Sequence, residues 1–325
     1  MKKGNISIFV PHLGCPQQCS FCNQKTITGK QTQPTPDDVK SAVKTALKRK
    51  GYEYEIAFFG GSFTAIDREY MESLLKAAAE FIDNDRIKGI RISTRPDFID
   101  NEVLQLLKNY GVTAIELGAQ SMDDEILKAN LRGHCAEDVA VAAKLIKDYG
   151  FELGVQMMTG LYRDTDEKAI KTAEKLIELK PDTVRIYPTV VLKGTYLAEL
   201  VEREEYTPQT VDDAAALCTT LVPMFESAGV RVIRLGLHAS DDIKKNMVGG
   251  AYHDSFGEIV QSRFMLNKVL AHPPGNYEIF VNPKSVSKLK GNQKRNAYFL
   301  MEQGYNIKYT VTDNVAEGEL KIVRA

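Results

Sequence analysis

Seven short runs rich in β-branched and aromatic residues alternate, over the first 240 residues, with amphipathic segments of helical periodicity. Several of these runs are continuously apolar, which is typical of parallel strands buried on both faces. We predict strands at residues 6–10, 55–59, 89–93, 113–117, 153–158, 183–187 and 230–234. An alternation of this kind indicates a parallel sheet with right-handed crossover helices.

The segments between the predicted strands contain helix start signals. Residues 35–38 supply a threonine N-cap, a proline at the first helical position and two acids in the first turn. Val39, Val43 and Leu47 then form one apolar stripe. The pair Thr207-Pro208 predicts another helix start. The fold class predicted is α/β, a partial (β/α)6-type TIM-like barrel, in which the chemistry gathers at the carboxyl ends of the strands.

The strand–helix alternation lapses after about residue 240. The remaining sequence predicts a helix at residues 255–270, an extended piece at 277–281, a basic stretch at 284–290, a helix at 293–303 and two short strands. We therefore expect two domains, a barrel core of residues 1–240 and a small α+β extension of residues 241–325, for which substrate binding is a candidate role.

Composition and charge exclude few function classes. The chain has 325 residues, 43% hydrophobic and 26% charged, and its formal net charge of −1 gives no sign of a nucleic-acid partner. No apolar run approaches the ~20 residues that span a bilayer. No apolar h-region of the length found in signal peptides follows Lys2 and Lys3, so we expect no signal peptide. The expected location is the cytoplasm, without a membrane partner.

Three of the five cysteines, Cys15, Cys19 and Cys22, lie close together just after the first predicted strand. An odd number of cysteines in a long chain argues against a disulfide framework, and clustered thiols in a reducing compartment are more often metal ligands. Three thiolates can ligate three irons of a cubane and leave the fourth iron open. The alternative is zinc, with His12 as the fourth ligand.

The spacing C-x3-C-x2-C, with Phe21 before the last cysteine, resembles the signature of the radical S-adenosylmethionine (SAM) superfamily. The resemblance implies a [4Fe–4S] cluster on these cysteines, with SAM bound to its open iron and Phe21 near the adenine. Reductive cleavage of SAM would then give methionine and a 5′-deoxyadenosyl radical that abstracts a substrate hydrogen. It also implies an electron donor, such as a ferredoxin, a flavodoxin or a reductase.

Further motifs at strand ends resemble SAM-binding segments of that superfamily. Gly60, Gly61 and Ser62 resemble the Gly-Gly-Glu element, whose backbone binds the methionine amino group, although Ser62 replaces the usual Glu or Thr. The resemblance assigns contacts with the ribose, carboxylate or adenine of SAM to residues at later strand ends and to an arginine, namely Ser93, Gln120, Arg132, Gln156, Met158 and Tyr187. For each of them, ordinary strand-end packing or helix capping is the alternative.

Residues 116–121, 131–134 and 187–195 are similar to segments of the Elongator catalytic subunit, and the similarity covers most of residues 5–240. That family installs a carboxymethyl-type group at C5 of the wobble uridine, so the resemblance implies RNA modification and tRNA as a possible partner. The family also has a C-terminal acetyltransferase domain. We find no acetyl-CoA-binding glycine fingerprint after residue 240, so acetyl-CoA is a doubtful partner.

Two other functions stay open from the sequence. One is a coproporphyrinogen-dehydrogenase-like radical SAM enzyme acting on a small metabolite, although such enzymes have a further cysteine where this chain has Gln24. The other is a non-catalytic iron–sulfur or zinc binding module. His134 and His238 are interpreted as structural histidines or proton-transfer groups. The basic residues of the extension form a solvated surface or an RNA contact: Lys284, Lys288, Lys290, Lys294 and Arg295.

Overall fold

The computed structural model describes residues 1–11, 15, 18–23, 26–27 and 32–325. Its main sheet has seven parallel strands in the order β1-β2-β3-β4-β5-β6-β8, so β1 and β8 are its edges. The strands of this region are β1 (Lys2–Val10), β2 (Tyr52–Gly60), β3 (Ile87–Thr94), β4 (Val112–Gln120), β5 (Glu152–Thr159), β6 (Thr183–Pro188), β7 (Val190–Leu192) and β8 (Arg231–Leu235). Each predicted strand is confirmed, most of them one to four residues longer than expected.

Helices follow each of the first six strands of the sheet. They are α1 (Pro36–Leu47), α2 (Arg68–Ala79), α3 (Asn101–Asn109), α4 (Asp124–Ala129), α5 (Ala136–Asp148), α6 (Asp166–Glu178), α7 (Tyr196–Glu202) and α8 (Val211–Ser227). Six strand–helix units followed by a seventh strand, all parallel and in chain order, form an open half barrel. The prediction of a partial (β/α)6-type barrel is confirmed.

Helix caps explain where two of these helices begin. Thr35 is the N-cap of α1, as predicted, and it forms a reciprocal capping box with Asp38. The predicted start at Thr207-Pro208 is wrong by three residues, because α8 begins at Val211 with Thr210 as its N-cap. The hydroxyl of Thr210 accepts from the amide of Asp213, and the Asp213 carboxylate accepts from the Thr210 amide. The residue three positions after Thr207 has no carboxylate to complete such a box.

The hydrophobic core lies between the outer face of the sheet and the helices. Its largest fully buried side chains include Phe58, Ile90 and Ile115 on the strands, with Leu74 and Leu104 on the helices. Burial of each such side chain contributes about 1.5–3 kcal/mol to stability. This layer fixes the strands, and the strand ends in turn position the side chains described below.

The C-terminal extension contains α9 (Asp241–Asn246), β9 (Met247–Gly250), α10 (Phe256–Leu270), β10 (Asn276–Val281), α11 (Val286–Lys290), α12 (Arg295–Glu302), β11 (Asn306–Val311) and β12 (Leu320–Arg324). Strand β10 pairs in parallel with β11 and antiparallel with β12. Tyr277, Ile279 and Leu300 belong to a separate hydrophobic cluster of this unit. The predicted α+β extension is confirmed.

One contact across residue 240 was not indicated by the sequence. Strand β9 pairs antiparallel with β7, with Val190 opposite Gly250 and Leu192 opposite Met247. The division of the chain at residue 240 stays a prediction. In the described part of the chain, no helix has both the length and the apolar character required to cross a bilayer.

Candidate functional site

A cavity of about 710 Å³ opens at the carboxyl ends of the strands and has the size of a small-molecule site. Every residue that the sequence assigned to the cluster or to SAM lines it. These residues are Cys15, Cys19, Phe21, Cys22, Gly60, Gly61, Ser62, Ser93, Gln120, Arg132, Gln156, Met158 and Tyr187. Residues distant in the chain therefore meet at one place.

The three clustered cysteines face this cavity from the segment after β1. The backbone amide of Cys22 donates to the carbonyl of Cys19 at 3.0 Å. Burial raises the pKa of the Cys15 thiol, while a backbone contact with Ser62 opposes that rise. Among the residues that the structure describes, no three Cys, His, Asp or Glu side chains group as ligands of a single metal ion. His12, the fourth ligand of the zinc alternative, lies outside the described residues.

Arg132 is buried and contacts the cysteine segment directly. Its Nη1 donates to the Cys19 Sγ at 3.0 Å, and its Nη2 donates to the Gly118 carbonyl at 2.6 Å. The guanidinium carbon lies 5.8 Å from the centre of the Phe21 ring. Its Nε is buried without a partner among the described residues. A cation placed here stabilises the thiolate form of a neighbouring cysteine.

A second buried arginine, Arg95, was not predicted from the sequence. Its Nε and Nη2 donate to the two carboxylate oxygens of Asp97 at 2.9 and 2.7 Å. Its Nη1 has no partner within the described part of the chain, and Arg95 lines the cavity. The Arg95 amide donates to the Ser62 hydroxyl at 3.2 Å, and that hydroxyl lies 2.8 Å from the hydroxyl of Thr94. The sequence Arg-Pro-Asp at residues 95–97, directly after β3, is the feature from which this arginine could have been predicted.

Two backbone positions in the cavity wall have positive φ angles. Gly60 has a φ of +118°, and a Cβ there would lie 2.7 Å from the Val10 carbonyl oxygen, so the position requires glycine. Gln120 has a φ of 67°, which is strained for a residue with a side chain. Its buried Oε1 has no partner among the described residues. Three thiols, arginine donors and unpaired polar atoms fit an anionic cluster and a polar, carboxylate-bearing ligand.

A buried carboxylate, Glu116, lies behind the cavity lining and contacts several lining residues. It is 1% exposed and accepts from Arg185 through two bonds of 2.7 and 2.8 Å. The amide of Gln156 donates to Glu116 at 3.1 Å, and the Ser93 hydroxyl lies 3.5 Å from it. Arg91 lies beneath, 3.5 Å from Glu116. Glu116 thus orients two of the predicted SAM contacts, a role that the sequence did not indicate.

His134 lies buried beside Arg132 and outside the cavity wall. Its Nε2 lies 3.3 Å from the Ala119 carbonyl oxygen and can only donate to it. Burial and the charge of Arg132 lower the pKa of His134 to about 4. The ring is therefore neutral in the folded protein near pH 7, and the structural interpretation of this histidine is favoured over proton transfer.

This shift predicts a pH dependence of stability. The unfolded chain takes up a proton on His134 near pH 6.5, whereas the folded chain does so only near the lowered pKa of about 4. The free energy of unfolding should therefore fall by up to about 3 kcal/mol as the pH drops from 6.5 to 4. His134→Gln should lose this component in urea titrations across that range. Parallel stability curves of the two proteins would contradict the assignment.

The other residues singled out by the sequence lie in different settings. His238 lines the cavity, and burial and Arg234 lower its pKa. Cys218 is packed within α8, where burial raises its pKa to about 12. In the basic stretch, Lys288 pairs with Glu317 and Arg295 with Asp212, which favours a solvated surface.

Comparison with known proteins agrees with this architecture. Residues 9–176 match the model of the Radical SAM superfamily, and residues 181–265 match the Radical_SAM C-terminal domain. The tRNA uridine(34) acetyltransferase of Dehalococcoides mccartyi is 27% identical over 269 residues, which cover 71% of this chain and 58% of that protein. Human Elongator complex protein 3 is 28% identical over 244 residues, which cover 67% of this chain and 43% of that protein.

The solved structure of archaeal Methanocaldococcus infernus Elp3 with an N-terminal deletion (1–46) has a similar fold. Its TM-score is 0.67 at 23% identity, covering 82% of this chain and 63% of that one. The chain thus spans less than two thirds of the length of these relatives. Because the family model matches more than half of its residues, the chain belongs to the radical SAM superfamily, whose cofactors are a [4Fe–4S] cluster and S-adenosylmethionine.

Proposed function

We propose that this protein cleaves SAM reductively and uses the reaction to modify RNA, with tRNA as the substrate. The observation that carries the proposal is the convergence of the three cysteines and all the predicted SAM contacts on one cavity. Relatives named tRNA uridine(34) acetyltransferase and Elongator complex protein 3 support the choice of RNA. We assign the protein to the cytoplasm, where tRNA and a ferredoxin, flavodoxin or reductase would be available.

Cys15, Cys19 and Cys22 would hold the cluster, which when bound supplies the electron that cleaves SAM. Arg132 would stabilise this anionic group, because its Nη1 donates to the Cys19 sulfur at 3.0 Å. Arg95 adds a second guanidinium, which Asp97 holds in one orientation.

The remaining residues would bind and orient SAM. Gly60 and Gly61 line the cavity without side chains, so the methionine amino group could approach their backbone closely. Ser93 and Gln156, fixed by Glu116, would face the ribose. We propose the other contacts by position in the cavity wall: Phe21, Ser62, Gln120, Met158 and Tyr187.

The proposal can be tested in two steps. The protein, reconstituted anaerobically with iron and sulfide, should form 5′-deoxyadenosine from SAM and dithionite. RNA from a strain that lacks the gene should then gain a new nucleoside mass after incubation with enzyme, SAM and reductant, while RNA incubated without SAM should not. A fully loaded cluster that gives no 5′-deoxyadenosine would contradict the enzyme assignment. An unchanged nucleoside profile would move the substrate to a protein or small metabolite.

A further inference from the structure

The cavity wall is positively charged. The described residues that line it include four arginines, Arg95, Arg132, Arg185 and Arg234, but no Asp or Glu. Three of these arginines already contact an acidic side chain or a cysteine. Arg95 contacts Asp97, Arg132 contacts Cys19 and Arg185 contacts Glu116.

Arg234 is the exception in this group. Its Nε donates to the Gly236 carbonyl at 3.0 Å, and no carboxylate pairs with it among the residues that the structure describes. Its position follows from the sheet register, because β6 and β8 pair in parallel with Arg185 opposite Arg234. The terminal nitrogens of Arg234 are therefore available to an anion that enters the cavity.

An aromatic surface lines the same cavity as Arg234, whose charge acts on the neighbouring His238. Phe9 and Phe59 are opposite each other on β1 and β2, with ring centres 6.3 Å apart. The Phe9 ring lies 6.4 Å from that of His238, which follows β8. The two edge strands of the half barrel thus meet through these side chains. Phe9 and Phe59 are only half-buried, and both line the cavity.

A ligand that satisfies this wall needs a flat ring and an anionic group on one molecule. Aromatic rings stack on bases of any identity, and a guanidinium matches the oxygens of a phosphate. We infer that the wall formed by Phe9, Phe59, His238 and Arg234 is a nucleotide subsite, in which the base stacks on the phenylalanines and Arg234 binds its phosphate. The inference rests on the proposed action on RNA, and it names the residues that would recognise a nucleotide of that RNA.

The test is nucleotide binding by the reconstituted, SAM-bound protein, measured by isothermal titration calorimetry. The probes are uridine 5′-monophosphate, uridine and a pentauridylate. Arg234→Gln should weaken binding of the monophosphate about tenfold or more and leave uridine nearly unchanged, because only the charge-assisted contact is lost. Phe59→Leu should weaken both about fivefold to tenfold. Arg231→Gln, an exposed charge on the same strand outside the cavity, should match the unaltered protein.

Equal binding of uridine and its monophosphate, or equal effects of Arg234→Gln and Arg231→Gln, would overturn the subsite. So would the absence of binding to a holoenzyme that still forms 5′-deoxyadenosine, although SAM cleavage would then stand. Tighter binding of pentauridylate than of the monophosphate is expected for an RNA substrate, and the reverse order would overturn the assignment to RNA. Arg234-dependent nucleotide binding with an unchanged cellular RNA profile would support the subsite and refute the proposed substrate.

Discussion

Replacement of Cys22 with alanine should leave the purified protein without its cluster and abolish the formation of 5′-deoxyadenosine. The cubane would be anchored at three corners only, so the loss of one thiolate leaves two ligands and opens a second iron to solvent. We expect the iron content to fall from about four atoms per chain to below one. Iron analysis, the visible spectrum and electron paramagnetic resonance of the reduced protein would measure the change.

Cys135→Ser is the matched control, since it also removes one of the five thiols. Cys135 lies at the N-cap of α5, where serine is a favoured residue, and it does not line the cavity. This variant should keep its iron and its activity. Retention of a full cluster by Cys22→Ala, or one zinc ion and no colour in the unaltered protein, would contradict the cluster assignment.

Glu116→Gln should cause the largest loss of stability among substitutions of the side chains that surround the cavity. The carboxylate is 1% exposed and takes two bonds from Arg185, with Arg91 also in contact. Removing its charge leaves the Arg185 guanidinium, 13% exposed, without its counter-charge. Loss of one partner of a buried ion pair typically costs about 3–5 kcal/mol. Urea unfolding of the metal-free protein would measure the change in the free energy of unfolding.

Glu199→Gln supplies the comparison at the surface. Glu199 pairs with Arg203 one helical turn away, and both side chains are exposed. The loss of such a pair should cost less than about 1 kcal/mol. If the two variants lost the same free energy, the buried network would contribute no more than a surface ion pair.

The fold was largely predictable because its physical causes are local in the sequence. Residues 56–58 of β2 and residues 114–115 of β4 are buried on both faces of the sheet and are apolar without interruption. The start of helix α1 is indicated by its own N-cap residue and by the acidic residues of its first turn. The pairing of β7 with β9 joins residues about 60 positions apart in short segments, so no local pattern indicated it.

Candidate site residues could be predicted where they belong to a sequence motif. They could not be predicted where only the pairing register of the strands brings them to the cavity. The cysteine spacing and the strand-end glycines indicated residues that the structure brings to one cavity. Arg185 and Arg234 appear in the sequence as ordinary charged positions of half-polar strands. Only the alignment of β6 with β8 turns both toward the interior. Glu116 was noticed as part of a motif, but its role depends on contacts with three other strands.

The antiparallel pairing of β7 with β9 connects the cavity wall to the C-terminal extension. Val190 and Leu192 are cavity-wall residues, and their strand, β7, pairs with β9 of the C-terminal extension. A macromolecule that binds the extension and displaces residues 247–250 would also displace these residues of the cavity wall. The extension is joined to the barrel by this strand pair and by the packing of α10 against α8. Binding of a substrate at the extension and the shape of the cavity are therefore structurally coupled.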